Sequence, residues 1–257
     1  MSRFTNLEFG DESQDSNRQS EGSSKGEAHY LKEARLAFEN GQFESGLRLY
    51  SKVLEYNPGN ASAWAGQVRM LIELEEYREA KLWADKALER FPNYPELLAT
   101  KAVALARTGD LEGALVFSDS SIAEHGDDPY VWLARADVLL ARREARADYC
   151  FDKALLLAPH DWFIRWLAAR IRFYYEQFAL ALKLIQQAVE LNSGHFLLWL
   201  QLGQCQHALG LLGPARTSLV QARQLNPQST EVTNALVGLS GANLGGRLRG
   251  LWRRLWG

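Results

Sequence analysis

The chain has 257 residues, of which 47% are hydrophobic and 23% charged, with a formal net charge of −2 at pH 7. This slightly negative net charge argues against a nucleic-acid-binding protein, which carries a strongly basic surface. No window reaches about 18 apolar residues, so no membrane-spanning helix is predicted. The first residues, MSRFTNLEFG, lack the apolar core of a secretory signal. We therefore expect a cytoplasmic protein, and the Ala-, Leu- and Arg-rich composition favours a bacterial source.

Residues 1–26 form an arm rich in Ser, Gly and acidic residues. The arm has too few apolar side chains to offset the conformational entropy that the chain loses on ordering. We therefore predict that residues 1–26 are disordered. One apolar island, FTNLEF with Phe4, Leu7 and Phe9, interrupts the arm. It is either a chance cluster or a short docking motif for a partner or for this protein's own groove.

Residues 27–229 contain one pattern six times. It is clearest from Trp199 to Pro227, where two apolar stretches of helical period flank the turn signal Leu-Leu-Gly-Pro. The first stretch carries W-x2-L-G. The second stretch carries small residues and is followed by a Pro, which ends a helix. The predicted units are 27–60, 61–94, 95–128, 129–161, 162–195 and 196–229. The fourth is one residue short near Arg142 and Arg143, and in the fifth Arg165 takes the usual aromatic position.

This pattern resembles the tetratricopeptide repeat, a helix–turn–helix unit of about 34 residues. The resemblance implies an all-α fold, a right-handed α-solenoid of about six repeats. It also implies a protein-binding function, with the first helix of each repeat lining a concave groove. Some members clamp the C-terminal carboxylate of chaperones with Lys and Asn. The matching positions here hold Leu31, Arg35 and Gly66, so that clamp is absent.

The resemblance places the second, fifth, ninth, twelfth and thirteenth residues of each repeat on the concave face. Arg35 and Glu39, and likewise Arg69 and Glu73, are four apart, which suits either solvated ion pairs or a ladder that orients a peptide. Aromatic residues crowd the fifth repeat, so they form either a bulky core or an exposed binding patch. The predicted groove residues are Arg35, Arg69, Tyr130, Phe163, Trp166, Arg170, Phe173, Tyr174 and His207.

Residues 230–244 are predicted to form a helix that covers the last apolar face, with Ser229 or Thr230 as its N-cap. The tail 245–257 differs in composition from the rest of the chain. On a helical wheel, Leu251, Trp252, Leu255 and Trp256 lie opposite Arg247, Arg249, Arg253 and Arg254. Such a segment binds an anionic membrane surface or a partner protein, or else it folds back on the solenoid or stays loose.

No motif in the sequence carries catalytic chemistry. There is no glycine-rich phosphate loop, and the five His residues show no metal-ligand spacing. We therefore predict no catalytic residue, no metal and no cofactor. The predicted function is a non-enzymatic adaptor that binds a peptide or helix of a partner protein. The alternatives are a peripheral membrane assembly factor anchored by the tail and a regulatory subunit of an enzyme complex. Self-association remains open.

Overall fold

The computed structural model describes residues 19–124 and 126–239. Every regular element in these two ranges is an α-helix, so the predicted all-α helical-repeat fold is confirmed. The helices are α1 Gln19–Glu39, α2 Phe43–Tyr56, α3 Ala61–Glu73, α4 Tyr77–Arg90, α5 Pro95–Thr108, α6 Leu111–Glu124, α7 Pro129–Ala141, α8 Ala147–Leu157, α9 Trp162–Tyr174, α10 Phe178–Leu191, α11 Phe196–Ala208 and α12 Leu212–Leu225. A further helix, α13, covers 230–239.

The helices belong to two compact units that divide after Leu157. In the first unit, α3 packs on α2, α4 and α5, and α5 also packs on α6 and α7. In the second unit, α10 packs on α9 and α11, and α11 packs on α12. Within each unit, helices that are neighbours in the sequence are therefore neighbours in space, as expected of stacked helix pairs.

Three of the first helices, α3, α7 and α9, start from a side-chain cap. α3, α5, α7, α9 and α11 begin at the first residue of a predicted repeat. The side chains of Asn60, Asp128 and Asp161 accept hydrogen bonds from backbone N–H groups of α3, α7 and α9, respectively. These N-caps satisfy donors that have no partner inside the helix.

The turn between the two helices of each repeat contains one residue in the left-handed conformation. These residues are Gly41, Glu75, Gly109, Arg143, Glu176 and Gly210, with φ between 58° and 95°. They follow one another at a constant interval, the repeat length, except that the interval between Arg143 and Glu176 is shorter by one. The recurrence gives the repeat register from the backbone alone.

The fourth residue of several repeats ties its helix to the preceding turn. The indole N–H groups of Trp64, Trp132 and Trp199 donate to the carbonyls of Pro58, Gly126 and Ser193, at 3.0, 2.7 and 2.7 Å. In the fifth repeat the guanidinium of Arg165 donates to Ala158 and Asp161 carbonyls, both at 3.2 Å. Arg165 therefore replaces the indole as a hydrogen-bond donor, which explains why the fifth repeat tolerates it.

The missing residue of the fourth repeat lies just after its turn. Gly109 precedes Ala114 by five residues, whereas Arg143 precedes the equivalent Ala147 by four. The N–H groups of Ala147 and Asp148 donate three residues back, to Glu144 and Ala145. A tight turn thus replaces the first residues of α8, which has 11 residues where α6 has 14.

Polar pairs join successive repeats at fixed positions in the first unit. Gln67 donates to Ser51 at 3.1 Å, Lys101 lies 2.6 Å from Asp85, and Arg135 donates to Asp119. Each pair joins the twenty-fifth residue of one repeat to the seventh of the next. We call Ser51–Gln67, Asp85–Lys101 and Asp119–Arg135 the seam pairs. The seventh residues are largely buried, with side-chain exposures of 15% for Lys101 and 18% for Arg135.

The N-terminal boundary differs from the prediction. α1 begins at Gln19, so residues 19–26 are helical where the sequence predicted disorder. Extending a formed helix costs less than starting one, and Glu27 anchors this helix by accepting hydrogen bonds from Asn57 and Asn60. The FTNLEF island and the rest of residues 1–18 lie outside the described residues.

The C-terminal helix α13 begins after Ser229, whose hydroxyl accepts a hydrogen bond from the Val232 N–H at 3.3 Å. Ser229 is therefore the N-cap. Val232 and Leu239 are buried, as the prediction of a covering helix requires. Residues 240–257, including all of the basic tail, lie outside the described residues.

Candidate functional site

Three first helices of the first unit bring Arg69, Glu96 and Tyr130 together. Arg69 lies on α3, Glu96 on α5 and Tyr130 on α7. The Arg69 guanidinium carbon is 3.1 Å from the centroid of the Tyr130 ring, and an Arg69 nitrogen is 3.9 Å from a Glu96 carboxylate oxygen. A guanidinium over a ring is held by its electrostatic attraction to the ring face. The three side chains therefore bridge repeats two, three and four.

Two further tyrosines complete this group. Tyr50 is buried on α2, close enough to Arg69 and Arg35 for their charges to affect it. Tyr94, in the loop before α5, lies close enough to Ser62 and Arg69 for both to affect its pKa. We call Tyr50, Arg69, Tyr94, Glu96 and Tyr130 the Arg69–Tyr130 cluster.

The ionisation states in the cluster follow from its partial burial. Burial raises the pKa of Tyr130 to about 12, although Arg69 opposes the shift. Burial also raises the pKa of Tyr50 and Tyr94. For Arg69, burial lowers the pKa, but Glu96, Tyr130 and Asp128 more than offset it, so the pKa rises overall. At neutral pH the cluster therefore holds a fixed cation among neutral phenols.

Arg69 retains hydrogen-bonding capacity at this site. Its Nε is buried without a hydrogen-bond partner, while 19% of its side chain is exposed. The Arg69–Glu96 distance of 3.9 Å exceeds that of a hydrogen bond. A guanidinium offers five N–H donors, and unmet donors in a partly dry site favour a carboxylate or carbonyl acceptor. The exposed part of the Arg69 side chain is therefore the part of the cluster that a carboxylate or carbonyl acceptor can reach.

A second charged pair lies further along the same helices and is closed to solvent. Arg107 Nε and Nη2 donate to the two carboxylate oxygens of Asp137, at 3.0 and 2.6 Å. Their side chains are 8% and 3% exposed. Although both occupy predicted groove-face positions, the pair satisfies itself in fork geometry and leaves little surface for a ligand.

The predicted groove residues of the second unit range from buried to exposed side chains. Trp166 is 1% exposed, so this predicted ligand contact is a core side chain instead. It stacks on Phe163 with centroids 5.3 Å apart, and the Arg170 guanidinium lies 5.0 Å from its ring. Phe173 is half-buried against Phe178. The fifth-repeat aromatics thus contribute mainly to packing, because a helix this rich in aromatics covers most of them with one another.

The remaining predicted groove residues are more exposed. Tyr174 is 47% exposed and packs edge-on against Tyr175, and His207 at the end of α11 is also exposed. Arg35 is exposed on α1. Of the nine predicted groove residues, only Arg69 and Tyr130 meet across repeats in the first unit. The predicted tail residues, Arg247 to Trp256, lie outside the described residues.

Across 19–124 and 126–239, no three His, Cys, Asp or Glu side chains are grouped to hold a metal ion. Burial raises the pKa of the Cys205 thiol to about 11 and also raises that of Cys150, so both are protonated at neutral pH. None of the helices in these ranges is long and apolar enough to cross a membrane.

Tyr50, Tyr94 and Glu96 are the cluster members that are not among the predicted groove residues, although Glu96 is the second residue of its repeat and so falls on the predicted concave face. Tyr50 belongs to a second helix and Tyr94 closes a repeat, so neither falls on the positions assigned to the concave face. The available signal was indirect. Both lie beside first-helix positions of the next repeat, and tyrosine combines an apolar ring with a hydrogen-bonding tip.

Comparison with known proteins identifies the repeat family. A family model described as tetratricopeptide repeat matches residues 31–95 and 167–230, which together make up half of the chain. A TPR repeat-containing protein of Methanocaldococcus jannaschii is 24% identical over 213 residues, which cover 77% of this chain and 36% of that protein. The chain thus spans about a third of the length of this relative.

Two solved structures show the same fold. A thermophilic TPR protein of Thermus thermophilus superposes with a TM-score of 0.55 at 21% identity, covering 70% of this chain and 98% of that one. A tetratricopeptide repeat protein of Parabacteroides merdae gives 0.52 at 12% identity, covering 86% and 88% of the two chains. At these identities the likeness concerns the fold.

Proposed function

This chain belongs to the tetratricopeptide repeat family, and from that premise we propose that it is a non-enzymatic adaptor that binds an extended segment of a partner protein. Tetratricopeptide repeats generally mediate protein–protein interactions. The proposed binding site is the Arg69–Tyr130 cluster. One observation carries the proposal: Arg69, stacked on Tyr130, keeps 19% of its side chain exposed, and its Nε has no hydrogen-bond partner.

The surroundings of Arg69 favour a peptide as ligand. Half-buried Ile72 and Tyr130 pack on a core of Ala99, Val103, Val131 and Ala134, so an apolar surface adjoins the cation. A partner side chain of moderate size would contact this surface while a carboxylate or backbone carbonyl of the partner accepts from Arg69. Partly desolvated charge-assisted hydrogen bonds are the stronger kind and fix orientation. Exposed Arg35, near Tyr50, extends the positive surface toward the first repeat.

Quantitative affinity capture tests the proposal. The full chain is used as bait beside Arg69→Gln and Tyr130→Phe variants, and captured proteins are measured by mass spectrometry. We expect Arg69→Gln to reduce the captured partner at least about tenfold, because it removes a charge-assisted hydrogen bond worth roughly 1.5–3 kcal/mol. Tyr130→Phe keeps the ring under the guanidinium, so its effect should be smaller.

Arg78→Gln is the matched control. Arg78 is exposed at the start of α4, a second helix, and loses the same charge. Thermal unfolding of each variant verifies that the bait is folded. Equal loss of partner in Arg69→Gln and Arg78→Gln would mean that net charge matters and the cluster does not. Unchanged capture in folded Arg69→Gln would refute the proposed site.

A further inference from the structure

The turns inside repeats five and six differ in charge from the turns of the first unit. The thirteenth to nineteenth residues of each repeat run from the end of its first helix into the start of its second. Each such segment of the first unit contains at least two charged residues: 39–45, 73–79, 107–113 and 141–146. The segments of the second unit read YYEQFAL at 174–180 and ALGLLGP at 208–214, and Glu176 is their single charged residue.

The same segments also differ in the apolar side chains that reach solvent. Tyr174, Leu180, Leu209 and Leu211 are exposed by 47%, 45%, 39% and 44%, respectively. None of the large apolar residues in the four first-unit segments is exposed. We call Tyr174, Leu180, Leu209 and Leu211 the apolar edge. Clustered exposed apolar side chains, unlike scattered ones, indicate a binding surface.

The residues of the apolar edge belong to neighbouring turns. α10 packs on both α9 and α11, and α11 packs on α12. Helices joined by short connections run antiparallel, so both turns lie at the same edge of the second unit, with the start of α10 beside the end of α11. The left-handed residues Glu176 and Gly210 reverse the chain there. The apolar side chains are therefore held at the ends of two adjacent helix pairs.

Positive charge lies just behind the apolar edge. Lys183 on α10 and Arg216 on α12 are exposed, and each follows the turn segment of its repeat within three residues. His207, at the end of α11, is exposed as well. Within 172–183 and 206–217, Glu176 is the single carboxylate. The edge thus combines exposed apolar side chains with a net positive charge.

This combination favours an anionic lipid surface over a second copy of the chain. Leu and Tyr side chains enter the interfacial region of a bilayer, where Tyr lies at the level of the headgroups. Exposed Lys and Arg side chains beside them are attracted to the phosphates of anionic lipids. A second copy would instead bring Lys183 and Arg216 close to their own equivalents, and like charges across an interface oppose association.

We infer that the apolar edge is a membrane-contact surface. Tyr174, Leu209 and Leu211 enter the headgroup region of an anionic bilayer, and Lys183 and Arg216 contact lipid phosphates. The edge belongs to the second unit, so the inference does not depend on the Arg69–Tyr130 cluster of the first unit. A small apolar surface binds a bilayer reversibly, and stable attachment requires a second signal. Because the basic tail is a candidate for that signal, the test separates the edge from the tail.

An environment-sensitive fluorophore tests the inference in the full chain. Nitrobenzoxadiazole is attached to the Leu211→Cys variant, whose introduced thiol is accessible while Cys150 and Cys205 are buried. The matched control is Asp110→Cys, an exposed turn residue at the same position of the third repeat. With vesicles of phosphatidylserine and phosphatidylcholine, we expect the emission from position 211 to shift to the blue, because the fluorophore leaves water. The emission from position 110 should not change.

Vesicle co-sedimentation measures the contribution of the edge to affinity. Leu209→Ser/Leu211→Ser should lower the partition coefficient on the order of tenfold, because two apolar side chains no longer leave water. Leu82→Ser/Leu156→Ser is the control, since these first-unit leucines are 53% and 71% exposed, and it should bind like the parent. Thermal unfolding verifies that each variant is folded.

Three results would overturn the inference. The first is vesicle-bound protein whose fluorophore at position 211 shows no shift, which assigns membrane binding to another part of the chain. The second is a blue shift at position 211 that needs no vesicles and grows with protein concentration, which assigns the edge to a second copy. The third is an equal loss of vesicle binding in the two double-leucine variants, which makes the effect independent of the edge.

Discussion

At the scale of single residues, the turn inside each repeat requires a left-handed backbone, and only three of the six turn residues are glycine. Glu75, Arg143 and Glu176 adopt φ near 60° there. A side chain in this conformation costs roughly 1–2 kcal/mol, because its Cβ crowds the following carbonyl oxygen. The repeat tolerates this cost at three turns because the packed helix pairs on either side fix the chain path.

Gly109→Ala isolates this conformational cost. Gly109 has φ 95°, and a Cβ there would meet nothing within 4 Å, so the change adds strain without a clash. We expect it to lower the free energy of unfolding by about 1 kcal/mol. Gly213→Ala in α12 is the control, since its Cβ also meets nothing but it sits in a helix. It should stabilise by up to about 1 kcal/mol. Urea denaturation measures both, and equal effects would contradict the conformational origin.

Tyr130 gives the cluster a pH dependence in the alkaline range. Its pKa in the folded protein is about 12, against 10.0 as its ordinary value. The folded state therefore holds the phenolic proton more tightly than the unfolded state, so this stabilisation is complete below pH 10 and is lost as pH rises toward 12. Unfolding free energies measured from pH 9 to 12 should fall less steeply in Tyr130→Phe. Tyr50 and Tyr94 should preserve part of the slope, because their pKa values are also raised. If the unfolding free energy fell equally steeply with pH in the parent and in Tyr130→Phe, the burial of Tyr130 would be contradicted.

At the scale of helices, the seam pairs relate one repeat to the next. A double-mutant cycle on Asp85→Ala and Lys101→Ala should give a coupling energy of about 0.5–1 kcal/mol, since Lys101 is only 15% exposed and 2.6 Å from its partner. The comparison pair is Lys52–Glu55 on α2, whose side chains are 52% and 53% exposed. Its coupling should be near zero. A larger coupling energy for the exposed Lys52–Glu55 pair would show that burial does not determine the strength of the seam ion pair.

The helices also show what periodicity predicts and what it does not. The starts of α3, α5, α7 and α9 could be read from the repeat because an Asn or Asp cap or a Pro coincides there with the start of the apolar period. The start of α11, after His195, follows from the period alone. The start of α1 at Gln19 could not be read from the sequence. Its first residues are polar, and they extend a helix whose packing begins further along the chain. The donation by Arg165 was also unpredictable, because a family pattern expects an aromatic ring there.

At the scale of the whole molecule, the repeat pattern predicted the fold but not which groove positions meet. Side chains from successive repeats form the Arg69–Tyr130 cluster, and such meetings depend on how far each repeat is rotated from the last. Conversely, the predicted patch on the fifth repeat assumed exposure for Trp166, which the structure buries. A position within a repeat thus predicts which face a residue occupies, but not its solvent exposure.

Site-specific photo-cross-linking in living cells tests the adaptor account most directly. The cross-linker p-benzoylphenylalanine is placed at Arg35, exposed beside the cluster, and separately at Arg78 on α4. The account predicts a discrete protein adduct from position 35 that disappears with Arg69→Gln, and no such adduct from position 78. The same adducts from both positions, or an adduct at position 35 that persists in Arg69→Gln, would contradict it.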